Sequence, residues 1–210
     1  GTNQGLFYRK QNSDDEFTFI QKTQGQVWSL KEIDGTLFCG HDSGSFIIEN
    51  NKANLIFNIQ GTWDFKKLKD GLIIQGNYDG LYVLQKDKDT WRLRNKIKGF
   101  KNSSRYFVLL ENDKIFVNHE YKGVFKLKID ESYTSVLQTE KETSVKKGIH
   151  SSIIKHKDAI FYASRKGVYK YNFDKNIFIL DTIYSKLISE NVFVSAKLIS
   201  DDHSNKLWSF

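Results

Sequence analysis

The chain has 210 residues, 39% hydrophobic and 14% aromatic, which suits one domain of good size and excludes a disordered chain. Its formal charge of +7 comes from lysines scattered along the whole length, so it reads as solvated surface rather than as one basic run for nucleic acid. No run of 18 apolar residues and no signal peptide is present; with no methionine and an abrupt start at Gly1, the sequence reads as a segment of a longer protein.

The first predicted elements are strands at GLFYRK (5–10) and EFTFIQK (16–22). VWSLKEI (27–33) and TLFCG (36–40) follow, and Cys39 within the latter reads as a small buried strand residue. After the loop His41-Asp42-Ser43 come GSFIIEN (44–50) and NLIFNIQ (54–60). TWDFKKLK (62–69) is joined by Asp70-Gly71, a tight hairpin signal, to GLIIQG (71–76). The loop Asn77-Tyr78-Asp79-Gly80 leads to LYVLQK (81–86), then TWRLRN (90–95). RYFVLLE (105–111), KIFVN (114–118), GVFKLKI (123–129) and YTSVLQT (133–139) make a further four. SSIIKHK (151–157), AIFYA (159–163), GVYKYNF (167–173) and NIFILDT (176–182) repeat the pattern, and NVFVSAKLI (191–199) and KLWSF (206–210) begin it again. No stretch keeps a helical period.

One phrase recurs through these elements: a small or polar residue, a short polar loop, a glycine, then alternating apolar and polar residues. Its glycines are Gly5, Gly44, Gly80, Gly123 and Gly167, spaced by 39, 36, 43 and 44 residues. Four antiparallel strands per period of about 40 residues predict an all-β fold, a β-propeller of four-stranded blades. Stacking is required because a lone blade exposes both faces. The repeats fall at about 1–38, 39–74, 75–116, 117–161 and 162–208. They give about five blade equivalents, either a closed five-bladed ring or part of a larger one such as a seven-bladed ring.

The chemistry of the loops points to binding. Histidines His41, His119, His150, His156 and His203 show no pattern that gathers two or three of them on a metal, and the expectation is no metal and no cofactor. The loop carboxylates Asp42, Asp79 and Glu120 recur because turns favour them. No nucleophile elbow, phosphate-binding loop or Cys–His pair appears, so this segment reads as no enzyme. In a propeller the loops from second to third and from fourth to first strands share one face. The candidate ligand residues there are His41, Asp42, Trp63, Asn77, Tyr78, Asp79, Arg105, Tyr106, His119, Glu120, Tyr121 and Arg165. Aromatic faces beside carboxylates, amides and Arg suit a sugar ring. Trp28 and Trp63, at matching places in two first strands, read first as inter-blade packing. The basic loop RNKIKGFKNSS (94–104) is either solvated or a contact for an acidic glycan or partner chain.

The wording Leu37-Phe38-Cys39-Gly40 through Gly44-Ser45-Phe46, Ile73 through Tyr82, Gly1-Thr2-Asn3-Gln4-Gly5-Leu6 and Lys206-Leu207-Trp208 resembles the two-component regulator propeller repeat. Asn118 and Ala163 depart from it, standing where Gly40 and Gly76 stand. The resemblance covers the whole chain. It implies a periplasmic or extracellular sensor, followed in such proteins by a second β-domain, a transmembrane helix and a histidine kinase or helix-turn-helix output. It also implies a small-molecule or oligosaccharide ligand, a homodimer through the parent protein, no direct nucleic-acid contact, and membrane attachment only through parts outside this segment. Two other propeller families fit less well. The only Trp-Asp pair, Trp63-Asp64, lies in a first strand, against the WD pattern, and 200–208 is a poor copy of an Asp-box turn. A protein-binding scaffold and a carbohydrate-active enzyme remain as alternative readings.

Overall fold

The recurring glycine marks a place where two stretches of backbone meet. All five have positive φ, from +96° at Gly123 to +145° at Gly44. At Gly44 a Cβ would stand 2.0 Å from the carbonyl oxygen of Phe57, so no side chain fits where the third strand begins against the end of the fourth. The computed structural model describes every residue except 111–112, 189–196, 202–203 and 210. His203 and most of the strand expected at 191–199 lie outside the described residues.

Twenty strands are described, and no α-helix; the single 3-10 turn is Tyr184–Leu187. β1 (Phe7–Tyr8) pairs with β2 (Thr18–Phe19). The first blade is β3 (Val27–Ile33), β4 (Thr36–His41), β5 (Gly44–Glu49) and β6 (Lys52–Phe57). The second is β7 (Asp64–Lys69), β8 (Leu72–Asn77), β9 (Gly80–Asp87) and β10 (Thr90–Lys96). The third is β11 (Tyr106–Leu109), β12 (Lys114–His119), β13 (Gly123–Ile129) and β14 (Val136–Lys141). The fourth is β15 (Ser152–His156), β16 (Ala159–Ser164), β17 (Gly167–Asn172) and β18 (Ile177–Leu180). β19 (Leu198–Asp201) and β20 (Lys206–Ser209) form a final pair. Every blade is a meander with its strands in sequence order, all neighbours antiparallel.

Four expected strands are corrected. β1 and β2 are two residues each, far shorter than the runs at 5–10 and 16–22. β6 starts at Lys52 and ends at Phe57, not 54–60. β14 begins at Val136, three residues after the expected start. A turn occupies the gap: the Asp130 carboxylate accepts the Thr134 N–H at 2.7 Å, and Tyr133 has φ +57°, outside any strand geometry.

The chain forms two compact units, Gly1–Ser103 and Ser104–Phe210. In the first, sheet packs on sheet through Phe38, Ile47, Phe65, Ile73, Leu84 and Trp91, with Phe38 edge-on to Trp91 at 5.2 Å. The β1–β2 pair closes on the first blade through Leu6, Ile20, Cys39 and Phe46. In the second unit, the third and fourth blades meet through Val108, Phe116, Val124, Ile153, Ile160, Tyr171 and Phe178. The β19–β20 pair packs on the fourth blade through Phe161, Ala163, Val168 and Leu198. Gly40, Gly76 and Ala163 hold matching places in second strands, and at Gly40 a Cβ would stand 2.8 Å from the Thr62 carbonyl oxygen.

Candidate functional site

In the first unit, three aromatic side chains converge from three places the repeat puts side by side. Trp28 is near the start of β3, Trp63 immediately precedes β7, and Tyr78 lies in the turn from β8 to β9. The two indoles stack at 4.0 Å with 23° between their planes. The Tyr78 ring lies 5.4 Å from Trp28 and 5.2 Å from Trp63, and nearly perpendicular to the latter at 70°. Tyr78 is 46% exposed and both indoles are half-buried. The tryptophans pack one blade on the next and leave aromatic surface at the solvent.

The polar edges of this cluster are already engaged. Trp28 Nε1 donates to Gln26 Oε1 at 3.1 Å, and Trp63 Nε1 donates to Ser103 Oγ at 3.1 Å. Tyr78 is seated on Gly61: a Cβ there would meet the ring at 2.4 Å, and Gly61 has φ +89°.

Beneath the rings is a buried polar network that fixes the turn. Ser45, Thr62, Gln75 and Asn77 have no exposed surface. Asn77 Nδ2 donates to Thr62 Oγ1 at 3.2 Å, and Asn77 Oδ1 accepts from Gln75 Nε2 at 2.9 Å. Ser45 Oγ reaches Gln75 Oε1 at 3.0 Å and Thr62 Oγ1 at 2.9 Å, tying the first blade to the second. Buried amides and hydroxyls with every partner in place rigidify what sits on them. The sequence reading missed Thr62 and its kin. Their signal was a hydroxyl residue shortly before each first strand: Thr23, Thr62, Ser104 and Ser151 are all fully buried.

Other candidate residues of this unit are placed differently. His41 is fully buried, its Nε2 3.3 Å from the Thr23 carbonyl and its Nδ1 2.8 Å from Asp42 Oδ1. It holds its loop from inside and presents nothing to solvent. Asn77 does the same. Asp79 pairs with Lys96 and accepts the Tyr82 hydroxyl at 3.0 Å. Asp42, Trp63 and Tyr78 have solvent-facing surface.

The second unit repeats the arrangement with other chemistry. Arg105 and Tyr106 stand where Trp63 stands, and Glu120 and Tyr121 where Tyr78 stands. The Arg105 guanidinium lies 5.1 Å from the Tyr106 ring centroid and 3.9 Å from Glu120. Burial holds the Tyr106 phenol above its ordinary value. His119 Nδ1 accepts the Tyr121 N–H at 3.2 Å, and burial, with Lys122 nearby, holds its imidazole below the usual range. Tyr121 is 61% exposed, and Arg165 is exposed in the turn from β16 to β17. Among the described residues no three of His, Cys, Asp and Glu gather as a metal-ligand set.

No family model and no curated protein sequence matches the chain. Solved structures do. The extracellular domain of the hybrid two-component system BT3049 from B. thetaiotaomicron aligns over 99% of this chain and 30% of its own, at 13% identity and TM-score 0.67. That of BT4673 from the same organism aligns over 87% of this chain and 25% of its own, at 17% identity and TM-score 0.62. The WD40 propeller domain of Doa1 aligns over 80% and 58%, at 13% identity and TM-score 0.56. The chain thus spans between a quarter and about three fifths of these structures' lengths. No helix of the described residues is long and apolar enough to cross a membrane. The expected resemblance is met at the level of architecture: this chain shares the β-propeller fold of the extracellular domains of bacterial hybrid two-component systems.

Proposed function

We propose that the chain is the ligand-sensing propeller segment of an extracellular or periplasmic receptor, and that a ring-shaped ligand docks on Trp28, Trp63 and Tyr78. The observation that carries this reading is the stacked, half-exposed aromatic cluster with both indole N–H groups satisfied internally. Such a surface offers a rigid apolar face at low entropic cost, held by the network under Asn77. A sugar fits it, with C–H groups on the rings and hydroxyls reaching the loop polar groups around them. The segment supplies about five blade equivalents of a larger ring. Ligand binding passes a signal by favouring one arrangement of two receptor copies over another, and a kinase or transcriptional output reads it.

The test is calorimetry of the chain against a panel of plant, algal and host oligosaccharides. Micromolar binding of one glycan, weakened tenfold or more (about 1.4 kcal/mol) by Trp28→Ala and by Tyr78→Ala but not by Tyr121→Ala, is the expected result. Silence across the panel from the folded protein would turn the reading towards a protein ligand.

A further inference from the structure

The interface between the third and fourth blades departs from that between the first and second, and a cleft lies beside the departure. In the first blade Phe38 on β4 stands opposite Ile47 on β5, and both are buried against Trp91. In the third blade the matching pair is Phe116 and Lys126. A lysine thus replaces an apolar residue at a position that packs blade on blade. The structure accommodates it: Lys126 Nζ is 2.7 Å from Glu142 Oε2, donates to the Asn176 carbonyl at 3.0 Å, and lies over the Phe116 and Tyr171 rings. Its charge is already matched.

Beside it the sheet carries charge that is less well matched. Lys114 on β12 stands directly opposite Lys128 on β13, and like charges at that separation repel. Among the described residues Lys128 has one ion-pair partner, Asp113 at 4.0 Å, and Lys114 has none. The carboxylate of Glu140 accepts the Gln138 amide at 2.6 Å. These side chains line a cleft of about 820 Å³, within the size range of ligand sites. Its other wall is Tyr171 and Phe173, edge to face at 5.2 Å, with Phe173 58% exposed. An exposed aromatic ring across a cleft from two opposed ammonium groups is a two-part receptor, one apolar and one cationic.

We propose that this cleft binds a small organic carboxylate with a flat apolar body, its carboxylate between Lys114 and Lys128 and its body on Phe173 and Tyr171. The anion relieves the repulsion between the two lysines, while the ring covers apolar surface that the blades leave open. The site is separate from the aromatic cluster of the first unit, and its test does not depend on that reading.

The experiment is an NMR titration of the 210-residue chain with phenylacetate, 2-phenylethanol and acetate in parallel. Expected are saturable shifts of the Lys114, Lys128 and Phe173 amides with phenylacetate. The other two probes should bind at least tenfold more weakly, since each lacks one half of the match. Lys114→Gln with Lys128→Gln should weaken phenylacetate tenfold or more, with thermal unfolding unchanged or raised because the repulsion is gone. Phe173→Ala, at a position 58% exposed, should likewise weaken phenylacetate tenfold or more. No saturable shift with phenylacetate, equal binding of 2-phenylethanol, or undiminished binding by the lysine variant overturns the proposal.

Discussion

Cys39 sits in β4 with no exposed surface, and burial pushes its thiol up to about 12. The thiolate is the reactive form, so the folded protein should resist a thiol reagent at pH 8. Its labelling rate should follow global opening and rise steeply in denaturant; fast labelling of the native protein would contradict the packing described. The sequence disclosed Cys39 as a buried strand residue from its neighbours Phe38 and Gly40. It did not disclose the different fates of His41, Asn77 and Tyr78, which occupy matching turns and look alike as polar loop residues. What separates them is the neighbouring connection: Thr23 takes the ring of His41, Thr62 takes the amide of Asn77, and Gly61 leaves Tyr78 a seat facing outward. Those contacts join residues 15 to 18 positions apart, and no local pattern encodes which side chain turns inward.

Among elements, β13 carries the most telling departure from the repeat. Alternation predicted a strand at 123–129 and the strand is there, yet Lys126 lies on the packed face. Glu142, beyond the end of β14, supplies the charge that lets it lie there, beside the Asn176 carbonyl and the Phe116 and Tyr171 rings. Burial alone would raise the Glu142 carboxyl, but Lys126 and Ser144 together hold it below the ordinary glutamate value. Burial likewise works against the Lys126 ammonium, and Glu142 outweighs it and holds the ammonium above the ordinary lysine value. The signs give a window. The glutamate contribution is present above its unfolded value of about 4.3 and fades as pH falls through the lower folded value; the lysine contribution is present below about 10.4 and fades as pH rises through the higher one. Glu142→Gln should cost roughly 3 kcal/mol at pH 7, since it leaves a largely buried ammonium without its partner. Denaturant titrations at pH 7 and pH 3 should show that cost shrinking in acid. A cost independent of pH would mean the pair contributes by packing alone. Ser144 extends the same chain, donating to Glu142 at 2.7 Å and accepting the Phe178 N–H at 2.8 Å. It thereby covers one backbone donor on the edge of β18, a strand otherwise rich in exposed isoleucine.

For the whole molecule, the period of about 40 residues made the four-stranded blades and their strand order legible, because each blade is a local meander whose pairing follows chain order. The division into two compact units was not legible: repeats that look equivalent in sequence differ in which neighbours they bury. Each unit has its own core, so damage should stay where it is made. Hydrogen exchange of Phe65→Ala, a core truncation worth about 3–5 kcal/mol, should speed exchange within 1–103 and leave 104–188 near its original rate. Glu142→Gln should do the reverse, and a change spread evenly over both would show the two halves opening as one. A last consequence lies in the indole pair. Two such chromophores stacked at 4.0 Å couple their electronic transitions, and the protein has only four tryptophans in all. A molecule that settles on that surface alters the coupling directly. The chain thus carries an intrinsic optical gauge of anything bound at that surface, and unlabelled compounds can be screened by circular dichroism in the indole band.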